Sequence, residues 1–139
     1  MGKASFKIFP DYKLIIEKYS GTFIISEYER MKKDEFKHPD FNPDYDVLAD
    51  LREGYFESKN VAPDETVLSV TDFLKSNKEN IGKRRCAFLA INPDQVVSSI
   101  FYENLIKGLP IVSKSFTTVT VALDWLAIQN KEEILKYLK

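Results

Sequence analysis

The 139 residues, 44% of them hydrophobic, are enough for one well-filled core but not for two, so one domain covering residues 1–139 is expected. Twenty Lys and Arg side chains against 21 Asp and Glu leave a formal net charge of -1. This balance excludes a global field that would draw the chain to nucleic acid or to an anionic membrane. A partner must therefore be recognised by a local part of the surface rather than by the overall charge of the chain.

No segment approaches the ~18 consecutive apolar residues that cross a bilayer, and the amino-terminal residues lack the apolar stretch of a signal peptide. The single cysteine, Cys86, cannot form an internal disulfide and lies in an apolar run, which suits a reducing compartment. The sequence therefore predicts a cytoplasmic protein without a membrane span.

A hairpin is predicted at the start of the chain, with strands near residues 5–9 and 13–25 around the turn residues Pro10 and Asp11. Gly21 is expected to mark a bulge or bend in the second strand. Ser26 followed by Glu29 has the spacing of a capping box, which predicts a helix that ends before Pro39.

The next predicted strand covers residues 45–51, with Val47, Ala49 and Leu51 on one face. A second helix is predicted to start near Pro63, to carry Ile81 on its apolar stripe and to end at Gly82 as its C-cap. Residues 85–91 then predict a strand that is buried on both faces.

Asn92 as N-cap and Pro93 at the first helical position predict a third helix. Its inward stripe is expected to contain Val97, Ile100, Phe101, Asn104 and Leu105.

A strand at 110–114 and helices at 117–129 and 132–138 complete the chain. The β-branched run from Thr117 to Val121 locally prefers a strand, but the helical period of the apolar residues after it favours a helix. The order β-β-α-β-α-β-α-β-α predicts an α/β fold, a single mixed sheet with parallel crossovers covered by helices.

Catalytic and metal-binding chemistry finds little support in the sequence. The only histidine, His38, precedes Pro39 at a helix end, where capping or solvent exposure is expected. Cys86 is expected to be a core residue rather than a nucleophile. The chain lacks clustered His and Cys ligands and Gly-rich phosphate loops, so no metal and no cofactor is predicted. The short basic run at Lys83 does not by itself predict nucleic-acid binding.

Three segments together resemble the STAS-like family of bacterial proteins related to anti-sigma-factor antagonists. These are Tyr19-Ser20-Gly21 with the charged helix after it, the stretch from Pro39 to Arg52, and the stretch from Phe116 to Leu126. The resemblance implies a STAS-like fold and a regulatory or binding role. The family's phosphorylatable Asp-Ser-Ser/Thr-Gly motif is absent from residues 62–69, where Thr66 is the nearest candidate and Ser69 follows it.

The segment from Arg52 to Pro63 is interpreted as an irregular connection and as the partner-binding surface, because Tyr55 and Phe56 fit no core-facing stripe. The resemblance places a regulatory surface in the same region. The predicted partner-binding residues are Arg52, Tyr55, Phe56, Asp64 and Thr66.

The leading functional hypothesis is a non-enzymatic regulatory or protein-interaction module with an unknown protein partner. A homodimer is an open possibility. One alternative is a binder of a small apolar or lipid-like ligand, which the many aromatic residues of the chain would serve. The other is an enzyme, which would need His38, Asp50 and Arg52 to converge in one cleft.

Overall fold

The computed structural model describes residues 2–56, 63–106 and 108–138, including their side chains except at 23, 55–56, 63–67, 98, 101–102 and 105. A five-stranded sheet has the order β1-β2-β3-β4-β5, in which β1 is antiparallel to β2 and all other neighbours are parallel. The strands are β1 (Lys3–Phe9), β2 (Leu14–Phe23), β3 (Asp46–Phe56), β4 (Arg84–Leu89) and β5 (Ile111–Phe116).

Helices cover both faces of the sheet, which confirms the predicted mixed α/β architecture. They are α1 (Ile25–Lys37), α2 (Pro63–Ser76), α3 (Pro93–Leu105), α4 (Val119–Trp125) and α5 (Glu132–Tyr137). The first three helices pack on the face that carries Ile15, Val47 and Cys86. The last two pack on the face that carries Ile16 and Leu48. Apolar residues alternate between these two cores along each inner strand.

β4 lies between β3 and β5, as the continuous apolar run predicted. Cys86 is buried on the face that carries the first three helices, and Ala87 and Leu89 are buried on the opposite face. The strand is shorter than expected, because it ends at Leu89 and Ile91 is 56% exposed.

The predicted capping box at Ser26 is wrong. The N-cap of α1 is Ile24, whose carbonyl accepts from the backbone N–H groups of Glu27 and Tyr28. Ile25 packs against the core, so the turn out of β2 starts the helix before Ser26 can cap it.

The second helix is shorter than predicted, and neither Ile81 nor Gly82 belongs to it. α2 ends at Ser76, and a 3₁₀ turn at Lys78–Asn80 leads to the extended Ile81. The Gly82 N–H donates to the Pro43 carbonyl at 3.1 Å, in a contact where a Cβ on Gly82 would lie 2.8 Å from that carbonyl. Gly82 is therefore required for close approach of two chain segments rather than for ending a helix.

The predicted inward stripe of α3 is also wrong. Val97 is 65% exposed, Ile100 is 50% exposed and Asn104 is exposed, whereas Gln95 and Ser99 are buried. These buried polar residues face the sheet because strand groups satisfy them, and this hydrogen bonding sets the rotation of the helix. The side chains of Phe101 and Leu105 lie outside the described residues.

A helix follows β5, as the apolar period predicted, although it is shorter than the expected 117–129. Thr117 and Thr118 form a bend, and α4 starts at Val119. The helix ends at Trp125, where Ala127 adopts a left-handed conformation with φ of 59°.

β3 continues past the predicted end at residue 51, as far as Phe56. Its pairing with β4 stops at Asp50, but its pairing with β2 continues across an irregularity. Lys18 pairs with Asp50 and Ser20 pairs with Glu53, so β3 contains one extra residue and the bulge lies in β3 rather than at Gly21. The chain at Gly21 does bend through a positive φ of 72°. Residues 20–23 of β2 and 53–56 of β3 thus continue as a paired ribbon beyond the end of β4.

The free edge of β1 is covered at one point by a side chain from α1. Arg30 Nη2 donates to the Ala4 carbonyl at 3.0 Å. The same guanidinium is held by Glu27 at 2.7 Å and by Asp34 at 3.0 Å.

Candidate partner-binding surface

The sheet face that carries α4 and α5 changes from apolar to polar along its strands. The strand register aligns Lys7 with Ile16 and Leu48 in a row that borders the apolar core. Two polar rows follow toward the carboxyl ends of β2 and β3. The first is Ser5, Lys18 and Asp50, and the second is Lys3, Ser20 and Glu53.

α5 ends at the border between the apolar and the polar rows. Lys18 Nζ donates to the Tyr137 carbonyl at 2.6 Å and lies 3.9 Å from the centre of the Tyr137 ring. Arg52 Nη2 donates to the Leu138 carbonyl at 2.8 Å. Because the last carbonyls of a helix lack partners within the helix, these two cations cap it.

Arg52, one of the predicted partner-binding residues, is fixed by its neighbour on β3. Its Nε and Nη2 atoms each lie 2.9 Å from a different carboxylate oxygen of Asp50. The hydrogen bond to Asp50, followed by its charge, raises the pKa of the guanidinium. The bidentate contact holds the guanidinium plane in one orientation, with 29% of the side chain exposed.

Gln95 of α3 holds the ribbon against the rest of the protein. Its side-chain amide nitrogen donates to the carbonyls of Leu51 and Gly54, each at 2.7 Å, and its Oε1 accepts from the Ile91 N–H at 2.8 Å. Asn92 caps the same helix, as predicted, since its Oδ1 accepts from the Gln95 N–H at 3.0 Å. β4 does not extend far enough to pair with this part of β3. The hydrogen bonds from Gln95 hold it instead.

The predicted site residues fall into two groups. Arg52, Tyr55 and Phe56 lie on β3, so the predicted irregular connection is wrong over residues 52–56, while residues 57–62 lie outside the described residues. Asp64 and Thr66 lie in the first turns of α2. The side chains of Tyr55, Phe56, Asp64 and Thr66 are not among those described.

Sequence reasoning missed the groove beside these residues. An open groove of about 700 Å³ lies over the polar rows. The polar lining includes Ser5 and Ser20, the cations Lys3, Lys18, Arg30 and Arg52, and the carboxylates Glu27, Asp50 and Glu53. A possible signal was the alternation of Lys3, Ser5 and Lys7 with Ala4, Phe6 and Ile8, which is typical of a strand with one polar face.

The residues that would revive an enzymatic interpretation do not converge. His38 Nδ1 accepts from the Asp40 N–H at 3.0 Å, and its ring packs edge-on against Phe6, in the α1–α3 core. Asp50 and Arg52 lie on the opposite face of the sheet. Cys86 is buried, which raises the pKa of its thiol to about 12. The residues that the structure describes contain no cluster of three His, Cys, Asp or Glu side chains able to hold a metal ion.

A buried charge cluster lies under α1, away from the groove. Lys32 Nζ contacts Glu17 at 2.7 Å and Glu35 at 2.9 Å, and all three side chains are at most 5% exposed. Burial, reinforced by the charge of Glu17, raises the pKa of Glu35 to about 8. Burial alone would raise the pKa of Glu17 as well, but Lys32 and nearby hydrogen bonds bring it below its usual value.

Comparison with known proteins identifies the architecture. No protein-family model and no curated protein matches the sequence. Within the described residues, every helix is too short or too polar to cross a membrane. One similar solved structure is an uncharacterized protein of the DUF3478 family from Shewanella loihica PV-4, described as having a SpoIIAA-like fold.

The two chains superpose with a TM-score of 0.62 over 91% of this chain and 95% of the other, at 18% sequence identity. At that identity the likeness concerns the fold rather than the function. The chain therefore has the SpoIIAA-like fold, as its resemblance to the STAS-like family implied.

Proposed function

We propose that this chain is a single-domain, non-enzymatic regulatory module of the cytoplasm that binds another protein through the carboxyl end of β3. The ribbon of residues 20–23 and 53–56 carries the proposal. It extends past β4 while Gln95 ties it to α3. A rigid element at the carboxyl ends of parallel strands is a favoured place for binding residues in α/β folds.

The proposed contact residues are Arg52, Tyr55, Phe56, Asp64 and Thr66, on β3 and on the first turns of α2. Arg52 supports the assignment because Asp50 and Leu138 already orient it. A pre-oriented guanidinium loses little conformational entropy when a partner binds. The fold of the SpoIIAA-like neighbour is compatible with this role.

A lipid-like ligand has weaker support. The small, partly open apolar pocket between α1 and the ribbon, bordered by Tyr28, Leu51 and Gly54, measures about 20 Å³. This volume is close to that of one water molecule and far below the several hundred Å³ of typical ligand pockets.

The double variant Tyr55→Ser/Phe56→Ser tests the proposal. We expect its melting temperature to stay close to that of the parent chain, while specific capture of a protein from the native cytosol is lost, because contact anchors contribute ~2 kcal/mol or more to binding. Core rings would instead cost ~3 kcal/mol or more of stability each.

The matched control is Val112→Ser/Val121→Ser, which removes two apolar side chains that are 61% and 52% exposed elsewhere. This control should retain capture. A large loss of stability in the Tyr55/Phe56 variant, or capture that is unchanged by it, would refute the proposed surface.

A further inference from the structure

Two lysines and two serines form a compact group on neighbouring strands, here called the Lys-Ser patch: Lys3, Ser5, Lys18 and Ser20. Lys3 pairs with Ser20 and Ser5 pairs with Lys18, so all four point to the same face of the sheet. Directly opposite residues are roughly 5 Å apart and diagonal ones roughly 7–8 Å apart. The two lysines occupy one diagonal, so both ammonium groups can approach one anion between them.

Neither lysine of the patch forms a described ion pair, although both lie near carboxylates: Arg30 and, to a smaller extent, Lys3 lower the pKa of Glu27, and Asp50 is the register partner of Lys18 on β3. Other cations along the groove are paired, since Arg30 contacts Glu27 and Arg52 contacts Asp50. In contrast, no described carboxylate lies within 4.0 Å of Lys3 or Lys18.

Lys18 uses only part of its donor capacity within the protein. Its ammonium group has three donors, and the Tyr137 carbonyl is the one described hydrogen-bond acceptor that it contacts. In a chain with a net charge of -1, two lysines without a described ion pair lie beside two hydroxyl groups, and this arrangement locally favours an anionic group of a partner.

The charges along the groove favour a peptide over a nucleic acid or a lipid surface. The row that starts at Lys3 ends at Glu53 on β3, so the groove is cationic at one side and anionic at the other. Glu53 would repel a phosphate backbone, whereas a peptide can carry both signs of charge. Base stacking also has no support, because the described aromatic residue of the lining, Tyr19, is 7% exposed.

We propose that the groove binds an extended segment of a partner protein that carries both signs of charge, with a carboxylate held between Lys3 and Lys18 and hydrogen-bonded by the hydroxyls of Ser5 and Ser20, and with a basic side chain beside Glu53. The inference rests on the proposed function, because the groove adjoins the ribbon and would deepen the same interface. A volume of about 700 Å³ accommodates several peptide residues. Binding through exposed charges should weaken as salt rises.

The test uses the full chain and a fluorescent peptide with the repeat glutamate–threonine–lysine–threonine, with anisotropy as the readout. We expect saturable binding that weakens at least about tenfold in the Lys3→Gln/Lys18→Gln variant. The matched control Lys33→Gln/Lys37→Gln removes the same charge from exposed positions of α1 and should bind like the parent. A Ser5→Glu variant leaves Lys18 and Tyr137 in the chain and should also lose binding, because the new carboxylate would occupy the site. This second variant distinguishes loss of the site from a folding defect in the first.

Three results would overturn the inference: equal binding of the same peptide with glutamine in place of glutamate, equal loss in both lysine variants, or binding of oligothymidylate or phosphatidylserine vesicles in place of the peptide. Absence of peptide binding together with capture that still depends on Tyr55 and Phe56 would refute this inference alone. Peptide binding that depends on the Lys-Ser patch, with capture indifferent to Tyr55 and Phe56, would refute the ribbon surface alone.

Discussion

Lys32 Nζ lies 2.7 Å from Glu17 Oε2 in the interior of the protein, where each side chain is at most 5% exposed. The same ammonium also contacts Glu35, so one positive charge faces two carboxyl groups. One cation balances the negative charge of only one buried carboxylate. The raised pKa of Glu35 identifies it as the group that keeps its proton. Burying ion pairs of this kind costs desolvation free energy, and their contribution to stability depends on the protonation of the carboxyl groups.

This cluster predicts that stability decreases as pH rises from about 5 to 8. Over that range the folded protein holds a proton on Glu35, whose pKa is about 8, while an unfolded Glu has lost it. Since the folded state binds more protons, its unfolding free energy falls, by on the order of 2–4 kcal/mol in total. Urea unfolding at several pH values measures this change.

Glu35→Gln should flatten that dependence, because a neutral amide resembles the protonated acid. The matched control Asp34→Asn changes an exposed neighbour whose side chain is 58% accessible and should keep the parent's slope. Equal slopes for the parent chain and Glu35→Gln would show that Glu35 does not hold the proton.

A second prediction concerns Gln95. Gln95→Leu removes the donor to Leu51 and Gly54 and the acceptor for Ile91, so unfolding should become easier by about 2–4 kcal/mol. Amide hydrogen exchange near residues 51–54 should also accelerate. The control Asn104→Leu, at an exposed position of the same helix, should change stability by less than about 0.5 kcal/mol. Similar denaturation curves for the two variants would contradict this assignment.

Gly82→Ala is expected to destabilise the protein by about 1–3 kcal/mol, because the new methyl group would displace the Pro43 carbonyl and the Asp44 side chain. Gly54→Ala is a suitable comparison, since its Cβ would meet Tyr19 Cβ at 3.4 Å and needs little adjustment. Thermal melting distinguishes the two. The interpretation fails if Gly54→Ala proves the more damaging change.

The buried thiol gives a fourth prediction. Because burial holds the pKa of Cys86 at about 12, almost no thiolate is present at pH 8, and iodoacetamide should not label the folded chain. Full labelling is expected in denaturant, with mass spectrometry as the readout. Rapid labelling without denaturant would mean that Cys86 is accessible and ionised.

The fold could be predicted where short-range patterns decide the structure. The apolar run at residues 85–91 indicated a strand covered on both faces, and that strand occupies the inner position between β3 and β5. The helix after β5 followed in the same way from apolar residues at helical spacing. In both cases the buried residues are apolar, so the pattern in the sequence and the packing agree.

The rotation of α3 could not be predicted in that way. Gln95 is buried because carbonyls of β3, more than 40 residues earlier in the chain, accept its hydrogen bonds. Ser99 faces inward because its hydroxyl forms a hydrogen bond with Ser115 of β5. Apolar periodicity contains no signal for such distant polar partners, so it assigned Val97 and Ile100 to the core.

The candidate surface was predictable only in part. Arg52 is fixed beside Asp50, which precedes it by two residues on β3, and this short spacing is visible in the sequence. The extension of β3 to Phe56 depends on the bulge opposite Tyr19, which is a property of strand register. The part that Lys18 plays in the surface depends on α5, which packs on the sheet and places Tyr137 and Leu138 next to β2 and β3.

The contact between Arg30 and the Ala4 carbonyl has a consequence for self-association. Edge strands expose backbone groups that can template pairing with another copy of the chain. A strand that added to β1 would first have to remove the guanidinium from Ala4, and with it the contacts to Glu27 and Asp34. Arg30 therefore makes growth of a continuous intermolecular sheet at the β1 edge less favourable, and it helps keep separate copies of the protein from aggregating through that strand.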